Sequence, residues 1–217
     1  MTRKKKVVSS QKKVASPQGK VALPQGKVAL PQFDDTIAAI ITPPGEGGVA
    51  AIRLAGQLCL SILKIHFKPA VIKSSKKIVP FMMRYGHFVR KGETKATDEI
   101  MAVYMPEGRS YTGYDQVEIY CHGGPQVVKL ILDELLASGA RAAEPGEFTK
   151  LAFLSGRIDL SHAEAVAEII AANTESSYEA AREHLVGHYS EHIEKLRDDL
   201  VGVVAEVEAS IDFPEEE

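Results

Sequence analysis

SYTGYDQVEIYCHGG, residues 110–124, decides how this chain is read. Residues 110–115 make a polar turn around Gly113. From 116 to 121 the residues alternate. Val117, Ile119 and Cys121 point one way, and Gln116, Glu118 and Tyr120 the other, the period of a half-buried strand. Gly123-Gly124-Pro125 then opens an apolar helix. Glu118 is therefore a carboxylate in mid-strand, where Glu is disfavoured. Either it faces solvent, on an edge or one-sided sheet, or it is buried and needs a partner that donates hydrogen bonds.

The chain has 217 residues, enough for one large or two small domains with a real core. Hydrophobic residues at 45% and charged ones at 25% are ordinary for a globular protein. The two cysteines, Cys59 and Cys121, form neither a disulfide framework nor a paired zinc motif, which fits a reducing compartment. No apolar run approaches the ~18 residues of a transmembrane helix. The net charge of −3 hides an asymmetry: residues 1–33 carry eight of the 26 basic residues and no acid. The remainder is acidic, so broad attraction to a phosphate backbone is not expected to be its main task.

Residues 13–33 are three near-copies of a heptad, KVASPQG, KVALPQG and KVALPQF. Pro17, Pro24 and Pro31 exclude a coiled coil, and the segment reads as a disordered basic tail over residues 1–33. Weak binding to nucleic acid or an acidic surface, an organelle transit peptide and a misassigned start are the other readings. Order is expected from Asp34, with a strand over 36–42, a Gly-rich loop, a strand over 49–54 carrying Arg53, and a helix around 57–66. The Gly loop lies between two strands, and no GxxxxGK[ST] occurs anywhere in the chain. Residues 68–80 form a basic connector, and strands follow at 83–89 and 99–105.

Beyond the opening stretch, residues 125–136 place apolar side chains at helical spacing until Gly139 ends the run, and 140–143 can add a short strand. A helical half begins at Pro145. Ser161 with Glu164 makes a capping box. One amphipathic pattern then runs from 175 to 211, roughly 36 residues or about 54 Å of helix. A helix of that length needs a partner stripe, so the helical part is expected to be incomplete in this chain.

Five blocks now stand in order: TPPGEGG, AAIRLAG, the opening stretch, PGEFTKLAFLSGRIDLSHAEAV and IDFPEEE. Together they closely resemble the N-terminal half of the MnmE (TrmE) family of tRNA modification GTPases, from Asp34 to Glu217. The resemblance implies an α+β fold: a folate-binding, dimerising α/β domain over 34–150, built on a mixed sheet with flanking helices, then the first part of an all-α domain over 151–217. It implies a protein that, with a flavin-dependent MnmG-type partner, modifies carbon 5 of the wobble uridine of certain tRNAs. A tetrahydrofolate derivative, 5-formyl or 5,10-methylene, supplies the one-carbon unit. GTP, Mg and K belong to a G domain that in the family would begin shortly after IDFPEEE, and a C-terminal cysteine lies further on. This chain carries neither and is expected to lack GTPase activity alone. The implied location is the bacterial cytoplasm, or a mitochondrion or plastid if the basic tail is a transit peptide.

The resemblance also implies the site. Arg53, Glu118 and Arg157 fall on the family's folate-holding positions. A pterin offers an exocyclic amine and a ring N–H to a carboxylate, which would give Glu118 its missing donors, and the glutamate tail of folate suits arginine. Read without the family, Arg53 is a strand-end surface charge and Arg157 a helix-end charge. The chain departs from the family pattern at Tyr114 (SYTGYD for SYTGED), at Leu151 and Ser155 (FTKLAFLSG for FTKRAFLNG) and at Ala55 (IRLAG for IRxSG). The loss of charge at Tyr114 and Leu151 is expected to bear on affinity or on the dimer contact. Cys121-His122 looks like a nucleophile pair but reads as a structural thiol beside a locally bonded histidine. Two other functions fit the residues: a stand-alone folate-dependent aminomethyl transferase, and a non-enzymatic dimerisation scaffold.

Overall fold

The computed structural model describes residues 33–70, 78–186 and 188–212. The heptad tail, seven residues of the basic connector (71–77) and the terminal 213–217 lie outside the described residues. Seven strands form one mixed sheet: β1 (Thr36–Ile40), β2 (Gly47–Gly56), β3 (Phe67–Pro69), β4 (Arg84–Val89), β5 (Ala96–Met105), β6 (Gln116–Gly123) and β7 (Arg141–Ala142), in the order β3-β4-β5-β6-β2-β1-β7. All neighbours are antiparallel except β1 and β7. The strand β3 carries no sequence signal of its own. It forms because Phe67 to Pro69 pair with Gly86 to Phe88.

One face of the sheet holds the main core. Ile52 and Leu54 of β2, Ile100 of β5 and Val117 and Ile119 of β6 meet two helices there, α1 (Cys59–His66) and α2 (Pro125–Ala137). The alternation in β6 aims its odd residues at this layer. Helix α2 starts with Pro125 at its first turn and inserts Val128, Ile131 and Leu135. Each fully buried side chain of this size contributes about 1.5–3 kcal/mol. Gly139, at φ +111°, terminates it as the spacing predicts. His66 ties the layer together: its ring meets the Val89 carbonyl at 2.9 Å and Ser138 Oγ at 2.7 Å and stacks on Phe88.

The other face is covered in part by a smaller apolar cluster of Ile37, Ala55, Tyr114 and Leu151, with Phe33, Ala143 and Phe148 packed against it. Helix α3 (Glu147–Leu154) supplies Leu151 and Phe148. An ion-pair latch sets the start of this helix: Arg141 of β7 donates to Glu147 at 2.6 and 3.0 Å and to Asp35 at 2.8 Å. Helices α4 (Leu160–Ala171), α5 (Glu175–Val186) and α6 (His188–Asp212) follow. The expected capping box at Ser161 and Glu164 is corrected. Asp159 is the N-cap and accepts from the His162 amide at 2.7 Å, so Ser161 lies inside the helix. Asp159 wins because its extended backbone and short carboxylate suit that position. The long amphipathic pattern is helical on both sides of residue 187, which is outside the described residues.

Hydrogen bonds from Arg141 hold the Glu147 carboxyl below the usual carboxylate range. A depressed carboxyl stabilises the fold above its unfolded value, about 4.3, and loses that contribution as pH falls through the folded value. Glu147→Gln is therefore expected to cost about 1–3 kcal/mol at neutral pH. In urea unfolding the difference from wild type should stay constant between pH 6 and 8 and shrink below about pH 4.

Candidate functional site

Glu118 lies in the fourth of the seven strands, 9% exposed, so the edge-strand alternative is excluded. Strand register puts Arg53 of β2 directly opposite it and Val103 of β5 on its other side. Arg53 is thus mid-sheet within a strand that continues to Gly56, not a strand-end surface charge. Glu118 Oε1 accepts from Arg53 Nε at 2.9 Å, Arg53 Nη2 at 2.8 Å and Gln116 Nε2 at 3.2 Å. Its Oε2 accepts from the Tyr120 hydroxyl at 2.6 Å. That bond, with burial, pushes the Tyr120 phenol up to about 12. A buried Glu118 is expected to need donors, which a pterin would supply; residues on the same sheet face already supply four. A carboxylate has about four lone-pair sites, and with three donors on Oε1 and one on Oε2, only Oε2 has room for another.

Two aromatic rings approach the arginine. The Arg53 guanidinium carbon is 5.3 Å from the Tyr111 ring centre and 5.4 Å from that of Phe148, within cation–π range. Tyr111 rides on the turn before β6, which is braced at several points. Asp115 accepts from the Tyr104 hydroxyl at 2.7 Å and from the Glu107 amide at 2.9 Å. Ser110 bonds the Tyr114 carbonyl, and Tyr111 meets Thr149 of α3 at 3.0 Å. Ser155 donates to the Thr112 carbonyl at 2.9 Å. Gly113 is required there: its φ is +83°, and a Cβ would stand 2.4 Å from Ser155 Oγ.

Arg157 follows α3 and lies against the same turn, with Nη1 3.4 Å from the Gly108 carbonyl. The structure brings Arg53 and Glu118 into contact. Arg157 meets the turn that covers them, not the pair itself. Three of the departures from the family pattern find each other: Tyr114, Leu151 and Ala55 pack in the one apolar cluster, beside Ile37. Cys121 and His122 do not form a nucleophile pair. Cys121 faces the main core and burial pushes its thiol up to about 11, whereas His122 Nδ1 bonds Asp98 at 2.6 Å on the other face.

Sequence reasoning passed over Gln116, Tyr120, Tyr111 and Phe148. The first two had a usable signal, since they flank Glu118 at i−2 and i+2 on one strand face. The two rings had none, because their approach depends on how the turn and α3 fold over the sheet.

Removing the carboxylate leaves the partly buried guanidinium without its acceptor. Glu118→Ala is expected to destabilise the fold by about 2–4 kcal/mol, and the paired change of Arg53→Met with Glu118→Leu by clearly less, as read by chemical denaturation.

Comparison with known proteins agrees with this layout. Residues 36–157 match the family described as "GTP-binding protein TrmE N-terminus", and residues 160–217 match "MnmE helical domain". The tRNA modification GTPase MnmE of Carboxydothermus hydrogenoformans is 46% identical over 184 residues, covering 85% of this chain and 40% of that protein. The protein of the same name from Roseiflexus castenholzii is 49% identical over 185 residues, covering 85% of this chain and 39% of its own length. The chain thus spans about 40% of the length of these curated relatives. With both family regions matched in order, and with a mixed sheet followed by helices, this chain belongs to the MnmE (TrmE) family, whose N-terminal and helical regions it contains.

Proposed function

We propose that this chain is the tetrahydrofolate-binding and dimerising portion of a tRNA modification GTPase that acts on carbon 5 of the wobble uridine. The observation that carries the folate assignment is the Arg53–Glu118 pair, presented mid-sheet beside Tyr111 and Phe148. The donor and acceptor set fits a reduced folate. Glu118 Oε2, which accepts from Tyr120 alone, has room for one more donor. A pterin edge is rich in N–H donors. Aromatic faces suit its ring and the benzoyl group. Arg53 and Glu118 would hold it, with Arg157, beside the covering turn, as the third contact. When bound, the folate supplies a one-carbon unit. The residues of this chain bind and orient it.

Dimerisation is supported by the apolar side chains left open on the site's face of the sheet. Val49, Tyr85 and Met101 are exposed there. GTP with Mg and K, the flavin-dependent partner and the tRNA are assigned to the whole protein, in the cytoplasm. The 217 residues contain no GxxxxGK[ST], and among the described residues no helix is long and apolar enough to cross a membrane. The scaffold reading has one observation of its own: α6 exposes Ile193, Leu196, Leu200, Val204, Val207 and Ile211.

Titration calorimetry with 5-formyl-tetrahydrofolate tests the assignment. Wild type should bind, and Glu118→Ala and the milder Glu118→Gln should each lose at least about tenfold in affinity, the loss expected when a charged hydrogen-bond partner goes. Equal binding by all three would remove Glu118 from the site. No binding by wild type, with a dimer still present in light scattering, would favour the scaffold.

A further inference from the structure

Gln116 stands where an apolar residue would serve the fold better. It is 1% exposed, in the central strand, between Ala55 of β2 and Met105 of β5. Its amide nitrogen donates to Glu118 Oε1 at 3.2 Å and lies 3.9 Å from Met105 Sδ. The opposite orientation of the amide would set its oxygen against a carboxylate oxygen with no proton between them. The carboxylate therefore decides which way the amide faces. The consequence is that Gln116 Oε1 is buried with no hydrogen-bond partner.

Buried polar atoms are nearly always paired, and an orphan acceptor is a cost to the fold. A leucine would fill much the same space and leave no orphan. Sequences break such local rules chiefly at functional sites. What Gln116 provides in return is a donor to Glu118 from the side opposite Tyr120. Strand alternation places the three in a row, and the outer two hold one carboxylate oxygen each.

We propose that Gln116 is a positioning residue of the Glu118 site. Its NH2 group holds Oε1, while Tyr120 holds Oε2. The terminal torsion of a glutamate is broad and roughly two-fold; Arg53 grips Oε1 from the neighbouring strand, and Gln116 and Tyr120, bonding along the strand itself, narrow the turn of the carboxylate plane that this grip leaves. With both in place, the remaining acceptor direction of Oε2 is set before a ligand arrives. Gln116 acts through Glu118 and not by touching the ligand. This rests on the reading of Arg53 and Glu118 as ligand-holding residues.

A double-mutant cycle tests it, using wild type, Gln116→Leu, Glu118→Gln and the double variant. Each is read by thermal unfolding and by calorimetry with 5-formyl-tetrahydrofolate. Gln116→Leu alone should weaken binding about tenfold, yet change affinity less than about twofold once Glu118 is Gln. Its effect on the unfolding midpoint should likewise differ between the two backgrounds. Unchanged affinity in Gln116→Leu, or additive effects in both readouts, overturns the proposal. Where wild type itself fails to bind, the folate reading falls. The thermal cycle then decides Gln116 alone: non-additive midpoints uphold its hold on Glu118, and additive ones overturn it. The same thermal cycle decides if Glu118→Gln abolishes binding altogether.

Discussion

A carboxylate in the middle strand of a sheet is the constraint on which this domain turns. An isolated charge at that depth is costly, and the cost is offset when donors meet its lone pairs. The solution is local and two-dimensional. Arg53 comes from the strand next door, in register, and Gln116 and Tyr120 come from the same strand two residues either side. The arginine then becomes the second charge to settle. Two aromatic faces and a bidentate grip on one oxygen hold it. The result is a polar cluster with nearly all of its internal bonds made and one acceptor direction left on Glu118 Oε2.

The cover over this cluster is built from small devices. A left-handed glycine at 113 lets the turn pass close to Ser155, and Ser155 in turn bonds the Thr112 carbonyl. Tyr114 and Leu151 fill the space between the turn, the sheet and α3. These two apolar residues stand where the family pattern carries charges. Read singly, each looks like a lost ion. Read together, they are a packing pair, with Phe33 5.3 Å from the Tyr114 ring. The Arg141–Glu147 latch fixes the start of α3, and so carries Phe148 to the arginine.

The far end of the same strand shows how alternation separates chemistry from structure. Cys121 points into the core and is held as a neutral thiol by burial. His122, one residue on, points to the open face. There the Asp98 carboxylate accepts both its backbone N–H and the ring Nδ1 bond and raises the imidazole above its ordinary value. Adjacent in sequence, the two share no site, since neighbours in a strand face opposite ways.

Sequence periodicity by itself determined the strands at the centre of the sheet, α2 and its glycine stop, and the sidedness of β6. These depend on alternation and spacing within a few residues. The family blocks, by themselves, put Arg53, Glu118 and Arg157 in one expected folate site. Only the tertiary structure decided that Glu118 is central and already bonded, that Tyr111 and Phe148 approach Arg53, and that Arg157 sits on the covering turn. It also decided β3, which is a strand only because β4 is beside it, and the true cap of α4, where Asp159 outcompetes Ser161. The division has one physical cause. Local pattern reports which face a side chain takes, whereas a hydrogen-bond partner, a ring approach or a packing pair depends on which distant segment the fold brings to that face.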